Sequence, residues 1–336
     1  MDGFERLMGF REGGYAETKA RLRLESGRLI STVNGRGYQL GEFEVVSLAT
    51  LRARAQATPL TGKLKLDLVC GDVRRLHTAH ENRDALFQVA SQFNMLEMIG
   101  PDISPEDGVT RYQNDPTQGP ACAIAAGAAT IFRNYFAPIG SDLGQSADRQ
   151  LDGLADLGAR LSALTGRPVE QLWRMQNGYA MGIASGIQAI AQTLVACTDC
   201  QLDDLRGALH IGLQWDTEVT DAGAPADHRV SQAFCSALPV SYCALPNPLW
   251  APFARLVLEA AYEATLHAGC VNLARRRSAT VYLTALGGGA FGNDDAWIDA
   301  ALGCALQQFR DTPLDVRLVS HREHRPGFLA LKAAFK

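Results

Sequence analysis

The chain has 336 residues, 47% of them hydrophobic and 20% charged, an ordinary globular composition with ample length to bury a core. A formal net charge of −4 gives it no bulk attraction for nucleic acid. No run approaches the ~20 apolar residues of a membrane span, and charges interrupt the apolar residues of the opening MDGFERLMGFREGG, unlike a signal peptide.

The first sixty residues read as an N-terminal extension. RLRLESGRLISTVNGRGYQL alternates in polarity and carries Ser-Gly and Asn-Gly turn signals, which predicts a hairpin. SLATLRARAQA follows as a short helix. This part is suited to covering a sheet edge or one wall of a pocket. Residues 61–336 read as one α/β domain. KLKLDLVC (63–70) is a strand, with Gly71 and Asp72 at its carboxyl end. Helical runs are expected over about 84–98, 119–135, 145–164 and 183–196, and Pro120 suits the first turn of the second. Residues 140–205 form a helical insertion within the domain. From His210 the pattern alternates. ALHIGLQW and HRVSQAFCSALPVSY are strands, 250–273 a long helix, 280–286 a strand, 296–309 a helix and 314–320 a final strand. Such alternation predicts a layered α/β domain with a largely parallel or mixed sheet.

Eight cysteines lie mostly in apolar runs, as around Cys70, Cys235 and Cys304. Buried free thiols in a reducing, cytoplasmic compartment account for that better than a disulfide framework. Cys197 and Cys200 form one CxxC, a weak zinc signal without a second pair. HTAHE (His77, His80) and HREH (His321, His324) do not fit a zinc helix and read as solvated turns, so no metal is expected. The basic run Arg275-Arg276-Arg277 reads as a solvated turn between helix and strand.

Two segments carry most of the chemistry. In VYLTALGGGAFGNDDAWIDAAL a strand runs into Gly287, Gly288 and Gly289, then Ala290, Phe291, Gly292 and Asn293, then a helix. A tight turn needs fewer glycines. Exposed backbone N–H groups beside a helix start suit a phosphate or pyrophosphate, although neither a Walker loop nor the GxGxxG fingerprint is present. The other segment, 88–136, sets an acid-rich loop between two apolar runs. It holds Glu97, Glu106, Asp107 and Asp115, and a carboxylate there is suited to activating water at a glycosidic bond. Asp115 leads, because it directly precedes the small-residue helix that opens with Gln118 and Gly119. Gln92 and Asn94 are amides among apolar neighbours, and their partners are either loop backbone or a bound sugar. Phe93 and Phe291 are core residues or stack on a ring. Asp72 either caps the next turn or accepts from a ligand. Cys122 lies in a helix's first turn, where a thiol can be activated, but it lacks a convincing histidine partner.

These pieces resemble the macrodomain family, which binds ADP-ribose. GDVR after a strand is similar to its GDIT segment, which would place Asp72 at adenine. ASQFNMLEM and QGPACA resemble its Asn-rich loop and Gly-rich helix start, which would turn Asn94 to the distal ribose. GGGAFGN is similar to its late phosphate loop and would set 288–292 around the pyrophosphate. The usual NAAN and GGGV motifs are absent, and residues 99–117, which hold most of the acids, separate the two loop pieces. That variant pattern looks like the MavL-type macrodomains, which remove ADP-ribose from modified arginine.

The resemblance implies a macrodomain-like three-layer α/β/α fold with a mixed sheet. It implies a hydrolase acting on ADP-ribosylated protein at arginine, with neither metal nor cofactor. Its catalytic acids would be Asp115, Glu106, Asp107 and Glu97. Its ADP-ribose contacts would be Asp72, Gln92, Phe93, Asn94, Gln118, Gly119, Cys122 and 287–293. Two other readings stand beside it: a module that binds ADP-ribose without cleaving it, and a Cys122-dependent hydrolase of another substrate.

Overall fold

The computed structural model describes residues 2–335. Two short helices, α1 (Gly3–Met8) and α2 (Tyr15–Ala20), lead into a three-stranded antiparallel sheet of β1 (Leu22–Glu25), β2 (Arg28–Ser31) and β3 (Gly37–Gln39). Ser26 and Gly27 both take positive φ, the geometry a two-residue hairpin turn requires. The chain then crosses to the main sheet as β4 (Glu42–Ser47), and the Ser47 side chain caps α3 (Leu48–Ala57).

The remaining elements follow in order. They are β5 (Lys65–Cys70), α4 (Val73–Thr78), β6 (Leu86–Ala90), α5 (Gln118–Ala125), α6 (Gly127–Tyr135), and the two-residue strands β7 (Pro138–Ile139) and β8 (Asp142–Leu143). Next come α7 (Ala155–Thr165), α8 (Val169–Leu172), β9 (Trp173–Gln176), β10 (Tyr179–Gly182), α9 (Ala184–Ala196) and α10 (Asp199–Gly207). The chain ends with β11 (His210–Glu218), β12 (Arg229–Cys235), α11 (Asn247–Ala274), β13 (Thr280–Leu283), α12 (Asp295–Gln308), β14 (Asp315–Ser320) and α13 (Pro326–Ala334).

Seven strands form the main sheet in the order β4-β11-β12-β6-β13-β14-β5. The five from β12 to β5 run parallel, and β11 is antiparallel to both its neighbours. The mixed sheet expected from the alternation is therefore present. Its side chains alternate between two cores. Leu86, Val281, Leu283, Val316 and Leu318 pack with residues of α3, α9, α11 and α12. Phe87, Val89, Phe234, Tyr282 and Val319 pack with Val73 of α4 and Cys122 of α5 on the other face. The result is three layers, helix on sheet on helix.

Several local expectations change. The run 84–98 is not a helix: Leu86–Ala90 is a central strand between two parallel neighbours. A strand covered on both faces is continuously apolar, so periodicity alone does not separate it from a buried helix. The expected helix 119–135 breaks at Ala126, where the Ala125 carbonyl turns outward to accept from the N–H groups of Thr220 and Asp221 at 2.9 and 3.2 Å. The insertion is not wholly helical, for β9 and β10 form a hairpin through Asn177 and Gly178, both at positive φ. All eight cysteines are free, but Cys70 and Cys304 are exposed where apolar neighbours suggested burial, while Cys235 is buried. His77 is fully buried rather than solvated.

Candidate functional site

The site forms where two strands part. β13 pairs with β6 only at Val281–Leu86 and Tyr282–Phe87. Beyond that point two glutamine side chains fill the gap. Gln88 Oε1 accepts from the Thr284 N–H at 3.3 Å. Gln118 Oε1 accepts from the Ala90 N–H at 2.9 Å, and its Nε2 donates to the Gln88 carbonyl at 2.8 Å. This is the carboxyl edge of the parallel strands, where ligands bind in open α/β sheets. A cleft of ≈ 690 Å³ opens above the two glutamines, lined among others by Gln92, Asp115, Gln118, Gly119, Tyr179, Gly287, Gly289, Ala290 and Phe291. A larger cavity of ≈ 860 Å³ lies elsewhere, between α1, Arg74, Asp221 and the far end of α5, and holds none of the glycine-loop residues.

One wall is the glycine loop. Gly287 has φ +73°, and a Cβ there would sit 2.4 Å from that of Ala237. The loop closes on itself: Gly288 N–H donates to Ala285, Gly292 N–H to Gly289 and Asn293 N–H to Gly287, all near 3 Å. Asn293 is buried beneath it and donates from Nδ2 to the Leu238 carbonyl at 2.8 Å, so it staples the loop and does not line the cleft. The N–H groups of Gly289, Ala290 and Phe291 meet no acceptor among the described residues. A row of unpaired N–H groups suits an anion. The helix that follows, α12, contributes nothing to this, because the Asp294 side chain caps its start. The helix start that faces the cleft is that of α5, which has no side-chain cap.

Gly119 makes that placement possible. A Cβ there would lie 1.8 Å from the Ala90 carbonyl oxygen, so only glycine lets α5 begin against the end of β6. Just upstream of that helix start, Asp115 is half-buried, and its Oδ1 accepts from the Thr117 N–H at 2.8 Å. Among the described residues it supplies the one carboxylate lining the cleft.

The other predicted acids lie apart from it. Glu106 and Asp107 are exposed on the turn Pro105–Asp107, where Asp107 accepts from the Ser104 N–H at 2.9 Å and pairs with Arg111 at 3.5 Å. Glu97 is fully buried and shares Arg133 Nη2, at 3.1 and 3.2 Å. Burial pushes its carboxyl up to about 7, against the attraction of Arg133. The guanidinium meets it edge-on through one nitrogen, and Nη1 is left without a partner, so the pair is incompletely compensated.

The polar and aromatic contacts divide similarly. Gln92 lines the cleft, but its amide is engaged with loop backbone, accepting from Met98 N–H at 2.6 Å and donating to the Met98 carbonyl at 3.1 Å. Asn94 is fully buried, donating to Gln150 and accepting from Leu96 N–H, so it does not face the cleft. Phe93 is core. Asp72 caps α4 by accepting from Arg74 N–H at 2.9 Å and also lies off the cleft. Cys122 is fully buried, its thiol is pushed well up by desolvation, and its Sγ accepts from Gln118 Nε2 at 3.2 Å. A thiol so enclosed packs under α5 and is not poised as a nucleophile. Gly288 and Gly292 lie in the glycine loop without lining the cleft.

Sequence reasoning missed Tyr179 and Tyr242. Their rings meet each other at 5.2 Å and Phe291 at 5.2 and 5.8 Å, forming an aromatic edge to the cleft. Tyr179 comes from the hairpin in the insertion, and its hydroxyl donates to the Met98 carbonyl at 2.8 Å. The Asn-Gly pair in MQNGYAMG was a legible turn signal that could have pointed to this hairpin.

Solved structures of poly(ADP-ribose) glycohydrolases are similar in course. One from Deinococcus radiodurans, in complex with ADP-ribose, aligns over 87% of this chain and 93% of its own at 12% identity, with a TM-score of 0.46. One from Thermomonospora curvata aligns over 96% of each chain at 14% identity, with a TM-score of 0.44. No family profile and no curated protein sequence matches the chain.

Chemically, then, the cleft offers backbone donors on two sides, one carboxylate and a set of rings. Among the described residues no group of three or more His, Cys, Asp or Glu is arranged to hold a metal ion.

Proposed function

We propose that this chain hydrolyses the bond joining ADP-ribose to a protein side chain, and that the side chain is arginine. The observation that carries the reading is the convergence of three features on one cleft: the free N–H groups of 289–291, the uncapped start of α5, and Asp115. The similarity of GGGAFGN to the macrodomain phosphate loop supports it. In this reading the diphosphate lies on the amides of 289–291, and the distal ribose sits between Gln118 and Gly119 and the rings of Tyr242 and Phe291. Asp115 takes a proton from the attacking water as the anomeric carbon gains positive charge. A carboxylate beside aromatic rings also suits a guanidinium, which pairs with the one and stacks on the others. The bond from the anomeric carbon to the arginine nitrogen breaks, the water oxygen takes its place, and the proton held by Asp115 passes to the departing arginine nitrogen, which restores the carboxylate. Glu106, Asp107 and Glu97 have no part in this step.

The test uses Asp115→Asn, which keeps an oxygen for the Thr117 N–H but cannot act as a base. Release from arginine-ADP-ribosylated protein is expected to fall at least about 100-fold, with ADP-ribose affinity by calorimetry nearly unchanged. Wild-type protein that does not bind ADP-ribose would sink the reading. Binding without release would leave a module that only holds ADP-ribose. Release from poly(ADP-ribose) or a serine linkage, but not from arginine, would correct the linkage.

A further inference from the structure

The acid segment 105–115 is held from outside itself. Glu12, between α1 and α2, reaches across to it. Its Oε1 accepts from the Val109 N–H at 2.9 Å and from the Tyr135 hydroxyl at 2.8 Å, and its Oε2 accepts from the Thr110 N–H at 2.6 Å. Gly108 has φ +78°, and a Cβ there would lie 2.4 Å from Glu12 Cδ, so any side chain at 108 would push the carboxylate out. A second tie sits one turn away. Asn134 Nδ2 donates to the Pro105 carbonyl at 2.9 Å, the Asn134 carbonyl accepts from the Tyr15 hydroxyl at 3.2 Å, and the Tyr15 and Tyr135 rings meet at 4.7 Å. From the Glu12 contact the chain runs through the single helical turn Thr110–Asn114 straight into Asp115.

We propose that Glu12 is a positioning residue that fixes Asp115 against the cleft. The inference rests on the function proposed above. A carboxylate suits the task because one group must accept from three donors, two of them backbone N–H groups that have no other acceptor. Charge makes each of those bonds stronger. Only the short turn Thr110–Asn114, with no sheet pairing, separates the anchor from Asp115, so a shift at 109–110 is passed on to the carboxylate. Loss of catalytic geometry by a small displacement is costly to turnover while leaving ligand contacts elsewhere intact.

Glu12→Gln and Gly108→Ala test this from both sides of the contact. In the Glu12→Gln variant the amide NH₂ replaces one acceptor and faces an N–H group. Amide exchange over 108–115 is expected to quicken about tenfold or more in both variants, with 287–293 unchanged. Turnover of arginine-ADP-ribosylated protein is expected to lose about tenfold in kcat, while KM and ADP-ribose affinity stay within about threefold. Unchanged exchange over 108–115 in both variants would overturn the anchor. Faster exchange with unchanged kcat would overturn its role in positioning Asp115. An equal rise in exchange over 287–293 would also overturn it, by showing general loosening. A wild type that neither binds nor releases ADP-ribose would instead defeat the function proposed above, and the exchange measurement would still decide whether Glu12 holds the segment.

Discussion

The two walls of the cleft differ in how many parts of the chain hold them. The glycine loop 287–293 is closed by its own backbone and tied to one neighbouring segment, by Asn293 Nδ2 to the Leu238 carbonyl and by the Ser241 N–H to the Phe291 carbonyl. It contains no titratable side chain. The facing wall, 105–119, has local bonds of its own, among them Gly108 N–H to Pro105, Tyr112 N–H to Val109 and Asp115 N–H to Tyr112, but it is placed by distant contacts. Glu12 and Asn134 hold its acid turn, Gln118 ties it to β6, and Gly119 seats it on the Ala90 carbonyl. The first wall thus leans on a single neighbouring segment, 238–241, and the second on several distant ones, Glu12, α6 and β6. The glycine loop keeps its shape if its glycines and that one neighbour are kept. The facing wall fails at whichever distant contact is lost first.

That contrast can be broken most severely at Gly119. The atom a methyl would strike is a backbone oxygen at 1.8 Å, which cannot turn aside. Gly119→Ala is expected to cost about 3 kcal/mol or more, beyond ordinary overpacking, read as a fall in the urea midpoint. A variant of wild-type stability would show that α5 can start elsewhere, and that the facing wall is less tightly keyed than its geometry implies.

Acid should separate the walls next. Gln232 Nε2 donates to the Cys122 carbonyl of α5 at 3.0 Å and to His77 Nε2 at 3.1 Å, while His77 Nδ1 donates to the Val73 carbonyl at 2.7 Å. The ring is therefore neutral with its proton on Nδ1. Burial lowers its pKa from 6.5 to about 4. A folded-state pKa below the unfolded one means that folding releases the proton. The resulting stability is complete above about pH 6.5 and is lost progressively as pH falls to about 4. Its full size is about 3 kcal/mol. Protonated His77 would present an N–H to Gln232, which could accept it only by turning its amide away from the Cys122 carbonyl. His77→Gln should flatten the stability curve between pH 6.5 and 4, followed by urea unfolding. An unchanged acid limb would remove His77 from the support of α5.

The difference between the walls also explains what the sequence revealed. Gly287 and Gly292 announce their loop, because their positive φ needs glycine at that very place. Strands β5, β11, β13 and β14 and helix α11 are readable from the pattern of apolar residues within each run. β6 reads as helix in the sequence because burial on both faces erases the alternation that marks a strand. Glu97 reads as a catalytic acid in the sequence because its partner Arg133 lies 36 residues along the chain, and no local pattern reports a buried ion pair. For Asn94 and Phe93 the sequence leaves open a ligand or the protein interior, and the structure decides for the interior partly through the insertion's hairpin, since the Phe93 N–H donates to the Gly178 carbonyl at 3.0 Å. Glu12 carried no signal, because its meaning lies wholly in Val109, Thr110 and Tyr135.

The smallest effects should come from within the glycine loop, and they divide by position. At Gly287 a methyl meets Ala237 Cβ at 2.4 Å and Asn293 Nδ2 at 2.7 Å, on a backbone of φ +73°. Gly287→Ala is expected to cost about 2 kcal/mol, from strain and a displaced staple together. At Gly289 nothing lies within 4 Å and φ is not positive, so Gly289→Ala should stay within about 0.5 kcal/mol of wild type. Its methyl would nevertheless stand in the cleft beside the unpaired N–H groups. Calorimetry with ADP-ribose should therefore show weakened binding in a protein of unchanged stability. If Gly289→Ala instead unfolds the loop, that wall depends on more than its own closure and the segment 238–241. If it binds ADP-ribose as wild type does, the anion does not lie on the amides of 289–291, and the uncapped start of α5 would have to hold it alone.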